Sequence, residues 1–98
     1  DAVLSPTLAM PPVPIGHFTG GGPQEEFQRM NEFTPFTSVY NVSGQPSASV
    51  PLHWSPDGLP IGVMLTGRMG GEGLLLSLSA QLERARPWVG RVPPGRDD

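Results

Sequence analysis

The chain has 98 residues, enough for one small domain or for part of a larger one. A net charge of −3 argues against a nucleic-acid surface, and the absence of cysteine excludes disulfides and thiolate metal sites. All six strong bases are arginines, so no mechanism that needs a lysine amine can be completed within these residues.

No apolar run approaches the roughly 18 residues of a membrane span, and no signal peptide is visible. The opening on Asp1 rather than Met reads as a cut inside a folded domain. Hydrophobic residues make up 37%, low for a self-sufficient core, and Gly and Pro number 13 each. That much Gly and Pro would suggest disorder, but here they punctuate patterned apolar segments and read as turns.

In chain order, residues 2–4 read as a short strand ended by Ser5-Pro6. Residues 9–23 are too rich in Pro and Gly for regular structure. Phe27, Met30 and Phe33 then recur every three residues behind Glu25 and Glu26. This predicts a helix of about three turns with Pro23 near its first position, stopped by Pro35. A second short helix or turn starts at Thr34. "SASVPL" alternates as a strand ending at Pro51, and "SPDGLP" is a turn. Residues 61–66 read as a strong strand that pairs with the previous one as a hairpin. From Glu72 to Arg86 the stripe Leu75, Leu78, Leu82, Ala85, widened by Leu74, predicts a helix with Arg84 and Arg86 in its last turn. Pro87 ends it, and residues 89–98 are expected to be a flexible tail. The order is an α/β pattern with little sheet of its own.

Three stretches carry a longer pattern: "LSPTLAMPPVPIG", "TPFTSVYNVSGQPSASVPLHWSPDGLPIGVMLTGR" and "EGLLLSLSAQLERARPW". Its densest part is Asn41-x-x-Gly44-x-Pro46, then Ser49-Val50-Pro51, then Asp57-Gly58-Leu59-Pro60-Ile61-Gly62. Together they resemble the C-terminal portion of the amidase signature family, and most resemble its bacterial members that include cyclic amide dimer hydrolases. The resemblance covers residues 1–88, taken as a C-terminal segment of an amidase domain. It implies the C-terminal part of a mixed-sheet α/β/α fold, with about three strands and two or three helices here.

By the resemblance, the complete enzyme hydrolyses carboxylic amides with a serine nucleophile, a second serine in a cis peptide and a lysine, all upstream. This chain has no lysine and no Gly-Gly-Ser-Ser-like run, so no catalytic residue is expected in it and it should be inactive alone. In the related fatty-acid amide hydrolases, side chains just before the Asn line the acyl channel. Matched through Thr37 to Asn41, those positions are Thr34 and Ser38, which become the expected substrate-binding residues. Two positions depart from the family: Met64 stands where many relatives have Gln, and Gly71 stands where an Asp N-cap is usual. No metal or organic cofactor is implied. The implied partners are the remainder of the amidase chain and a small-molecule amide, with self-association as a further option and the cytoplasm as the location.

Residue by residue, Gly44 and Gly62 permit unusual φ or close backbone approach. Pro46 and Pro51 bound a strand, and Asn41 can bond to backbone at its entry. The stretch from Asn41 to Leu52 therefore reads as architecture. His17 and His53 lack a third ligand with suitable spacing and read as packing. Ser55, His53 and Asp57 lie too close in sequence to converge as a triad. Asn41-Val42-Ser43 fits a glycosylation sequon only by coincidence. Gly20 to Gly22 lack the following Lys of a phosphate loop. Trp54 and Trp88 read as packing at the core edge. The competing reading of the whole chain is a stand-alone truncated structural or interaction module, marked by an exposed edge on "IGVMLTG".

Overall fold

A computed structural model describes residues 1–95. The elements run β1 (Val3–Pro6), α1 (Pro23–Phe33), α2 (Ser38–Ser43), β2 (Ser47–Trp54), β3 (Pro60–Thr66) and α3 (Glu72–Ala85). The strands form one antiparallel sheet in the order β1-β3-β2. The α/β arrangement and the β2–β3 hairpin agree with the sequence. The edges differ: "IGVMLTG" is the central strand, paired on both sides, and the open edges belong to β1 and β2.

The strand ends also differ from expectation. β1 runs through Ser5 to Pro6 rather than ending at Leu4. Pro51 does not end β2, which continues to Trp54. Two features allow this: β2 is an edge strand, where a missing N–H costs no ladder bond, and its register with β3 shifts between Val50 and His53. Pairing starts with Ser47↔Thr66 and resumes as His53↔Ile61.

Pairing sorts the side chains, because directly opposed residues share a face. Ser5, Met64 and Ser49 lie in one row, and Val3, Thr66 and Ser47 in the next. The other face carries Leu4, Leu65 and Ala48, then Pro6, Val63 and Val50. Helix α3 lies on this apolar face, with Leu78 and Leu82 across a groove from Leu4, Val63 and Leu65. Its first residue follows Gly71, an N-cap that makes no side-chain bond. A Cβ at Gly71 would sit 2.9 Å from the Arg68 carbonyl oxygen, so an Asp cap would need the 68–71 turn to move. Arg86 lies just past the helix, its N–H donating to the Leu82 carbonyl.

Helix α1 has the predicted length of about three turns, with proline at its start and its end before Pro35. Arg29 ties it to the irregular segment before it, donating to the carbonyls of His17 and Thr19 at 3.2 Å each and pairing with Glu25. The Phe18 ring packs against Phe33 at 5.3 Å. At the other end Arg91 stacks 4.4 Å from the Trp54 ring centroid, and a Cβ at Gly58 would meet Pro94 at 3.2 Å. Residues 96–98 of the expected tail lie outside the described residues.

The core is small. Among the described residues the buried apolar side chains are Val50, Met64, Leu65 and Leu75. Leu74 and Ala85, predicted to face inward, are exposed, as are Phe27 and Met30 of the α1 stripe. The molecule is a slab of 42 × 38 × 19 Å with a radius of gyration of 15.4 Å, against about 13 Å for a compact domain of this length. Its accessible surface is 6881 Å², where a compact monomer of this mass exposes about 5,400 Å². The helices have apolar stripes, but a second layer to bury them is missing.

With so few buried anchors, each counts for much. Leu75→Ala is expected to cost about 2–5 kcal/mol, enough to unfold the isolated chain, measured by urea titration followed by far-ultraviolet circular dichroism. A loss below 1 kcal/mol would mean that Leu75 does not anchor α3.

Candidate functional site

The face opposite α3 is lined with hydroxyls. The Ser47 and Thr66 hydroxyl oxygens lie 2.8 Å apart, and those of Thr7 and Ser49 lie 2.7 Å apart. Thr66 and Met64 between them are 1% and 3% exposed. Met64 is thus a buried apolar plug in a polar row, and its thioether offers none of the hydrogen bonds a Gln amide would make.

Glycine makes the second pair possible. A Cβ on Gly62 would sit 2.6 Å from Ser49 Oγ and 2.9 Å from Thr7 Oγ1. Any side chain there would push the two hydroxyls apart. Thr7 is held in place because its N–H donates to the Gly62 carbonyl at 3.3 Å. Two residues on, the Ala9 N–H donates to the Phe33 carbonyl at 3.0 Å. The strand exit thereby connects the sheet to the end of α1, where the expected substrate residues begin.

Thr34 is the C-cap of α1 and is half-buried. Its hydroxyl and its backbone N–H both donate to the Met30 carbonyl, each at 3.0 Å. Its hydroxyl proton is committed to the helix end, so toward a ligand Thr34 offers acceptor lone pairs and a methyl group. Ser38 is the first residue of α2 and is exposed, with no hydrogen bond from its hydroxyl among the described residues. The two flank the 35–37 turn. Neither lines the two described cavities, one between the sheet and α3 and one of about 210 Å³ along residues 6–12 and 60–62.

The chain from α2 into β2 is built as the sequence suggested, with different hands. Gly44 takes φ +78 at the C-cap of α2, a conformation that favours glycine. The side chain of Asn41 makes no hydrogen bond among the described residues. Gln45 makes the bonds instead: its N–H donates to Ser43 Oγ, and its side-chain amide donates to the Gly67 carbonyl at 3.0 Å. The Gly67 N–H closes the corner on the Pro46 carbonyl at 3.1 Å.

Acid–base groups stay apart from this face. Ser55 is part of a turn, its Oγ accepting from the Leu59 N–H at 3.0 Å. No acid or imidazole hydrogen-bonds to a hydroxyl of the polar face among the described residues, and no group of three or more His, Asp or Glu is placed to hold a metal ion there. No helix of the described chain is long and apolar enough to cross a membrane. Sequence reasoning found Gly62 but missed the Thr7–Ser49 pair. The alternation of Ser47 and Ser49 was legible; that Thr7 lies beside Ser49 follows only from the sheet register.

Comparison with known proteins places this architecture. Residues 1–76 match the family described as Amidase. AmiC of Mycobacterium tuberculosis, assigned by name to the amidases, is 42% identical over 89 residues, covering 91% of this chain and 19% of that protein. The 6-aminohexanoate-cyclic-dimer hydrolase of Pseudomonas sp. (strain NK87) is 55% identical over 58 residues, 59% of this chain and 12% of that one. A solved structure of 6-aminohexanoate cyclic dimer hydrolase superposes with a TM-score of 0.85 at 40% identity, covering 96% of this chain and 21% of its own. The chain thus spans about a fifth of the length of the first relatives it matches.

The close approach at Gly62 yields a prediction. Gly62→Ala should destabilise the sheet by about 1–3 kcal/mol, and the double variant with Ser49→Gly should recover part of that loss in chemical denaturation. An additive double variant would mean that the clash is not with Ser49.

Proposed function

The chain belongs to the amidase family, and from that premise we propose that it is the C-terminal portion of a serine amidase that hydrolyses linear or cyclic carboxylic amides. The observation that carries the reading is the match to a cyclic dimer hydrolase over 96% of this chain and only 21% of that one. A shared fold at 40% identity supports a shared role in the larger molecule. The small apolar core, four side chains among the described residues, and the surplus of exposed surface speak against a stand-alone module.

In the complete enzyme a serine hydroxyl attacks the amide carbonyl carbon, the amine leaves, and water releases the acyl group. Backbone N–H groups stabilise the oxyanion. The lysine that serves this proton traffic in the family has no counterpart among the 98 residues. The chain's own contribution is the sheet, the covering helix α3 and part of the pocket wall. Thr34 and Ser38 form that wall, where small polar side chains suit a compact acyl group better than a fatty chain. The implied partners are the rest of the amidase polypeptide and the amide. A cytoplasmic location goes with the family reading.

The test is a chimera in which residues 1–95 replace the matched fifth of the solved hydrolase. It should hydrolyse that enzyme's amide, while the 98-residue chain alone should not exceed buffer. In the chimera Thr34→Leu and Ser38→Leu should shift KM by several-fold with a smaller change in kcat. Hydrolysis by the pure 10.4 kDa chain would overturn the reading, because it has no lysine to complete the triad.

A further inference from the structure

The turn between β2 and β3 holds a reactive pair that neither the sheet nor the pocket wall uses. Asp57 is the one aspartate of the chain that a glycine follows, and it is exposed. A glycine in that place puts no Cβ in the way of its own backbone nitrogen and lets the backbone turn freely. The nitrogen can then attack the side-chain carbonyl carbon of the aspartate. The N–Cγ bond forms, a Cγ–O bond breaks, and water leaves with the amide proton. The product is a cyclic imide, which water reopens at either carbonyl. Opening at Cγ restores aspartate. Opening at the main-chain carbonyl leaves the chain running through Cγ, a β-aspartyl linkage. One water leaves and one returns, with no oxidant, reductant or cofactor.

The fold blocks the first step. The Gly58 N–H donates to the Ser55 carbonyl at 2.9 Å, which makes residues 55–58 a β-turn with Pro56 and Asp57 at its centre. Among the described residues only glycines have positive φ. That leaves a type I turn, whose third residue has ψ of about 0°. Ring closure needs the Asp57 Cβ in line with the Gly58 nitrogen, about a third of a turn away around the Cα–C bond. This rotation breaks the Gly58 bond. Two further bonds resist it: the Ser55 N–H donates to the Leu59 carbonyl at 2.8 Å, and Ser55 Oγ accepts from the Leu59 N–H at 3.0 Å. The C-terminal segment covers the turn from outside. Pro94 lies 3.2 Å from where a Gly58 Cβ would sit, and Arg91 stacks on Trp54 beside it.

We propose that Asp57–Gly58 is a self-modification site that the Ser55 turn holds latent, so that the β-aspartyl linkage forms in chains whose hairpin has opened and not in folded ones. The linkage marks those chains permanently. It lengthens the backbone by one carbon inside a turn whose flanks are fixed in register, Trp54 opposite Pro60. The inference stands on this turn alone and does not depend on the amidase reading.

The experiment incubates the full 98-residue chain at neutral pH, in buffer and in denaturing urea. Enzymatic methylation of the freed α-carboxyl counts β-aspartyl residues, and fragmentation mass spectrometry locates them. In urea the linkage should appear at position 57 at least tenfold faster than in buffer. Ser55→Ala should raise the rate in buffer several-fold, while Ser55→Thr, which keeps the oxygen, should leave it near the original. Asp57→Glu, whose imide ring would be one atom larger, should stay unmodified there. The purified β-aspartyl chain should not regain the far-ultraviolet spectrum of the folded one. Equal rates in buffer and urea, no product at position 57 in either, or a folded Ser55→Ala chain as slow as the original would each overturn the proposal. Full refolding of the β-aspartyl chain would overturn its role as a permanent mark. Should Ser55→Ala fail to fold, hydrogen exchange at the Gly58 amide of the original chain replaces it: exchange should be slowed at least tenfold from the unfolded rate, and an unprotected Gly58 amide would count against the latch.

Discussion

Strand β3 is the constraint on which the rest depends. It is the strand with a neighbour on each side: β2 reaches it through the short turn after Trp54 and β1 from the far end of the sequence, with Val3 and Ser47 both opposite Thr66. Two strands closing on one centre bring Thr7 and Ser49 together over Gly62, and only a residue without a Cβ leaves room for both. The same pairing fixes which residues form the polar face and which meet α3. A one-residue slip would exchange the two faces and bury serines under the helix.

The two faces of the sheet differ in chemistry. One presents paired hydroxyls, with no acid or imidazole hydrogen-bonded to them among the described residues. The other presents leucine and valine that one helix does not cover. A layer with an unfinished surface on each side belongs in the interior of something larger, as its share of its relatives' length also indicates.

How much of this the sequence revealed varies with the range of the interaction. Helix α1 was legible because Pro23 and Pro35 mark it locally. Helix α3 followed from leucine spacing, and β3 from an apolar run between Pro60 and Gly67. Pro51 misled, since whether proline ends a strand depends on whether that strand is an edge. The central place of β3 and the Thr7–Ser49 contact were not legible, because both depend on pairing across most of the chain. The exposure of Leu74, Phe27 and Met30 was hidden for a different reason: their pattern is written for neighbours that these residues do not include. Thr34 and Ser38 entered through family resemblance alone, and the spacing that supplies them says nothing of how a hydroxyl is spent.

The thinness of the molecule has a consequence for how it would behave when heated. In a slab 19 Å deep, hardly any side chain is more than one layer from water. Unfolding such a body hydrates little new apolar surface, so its heat-capacity increment and its sensitivity to denaturant are both small for its length. The stability curve is then shallow and the melt broad. A gradual thermal transition in this chain would be the signature of its geometry, and would occur with every strand correctly paired at the start.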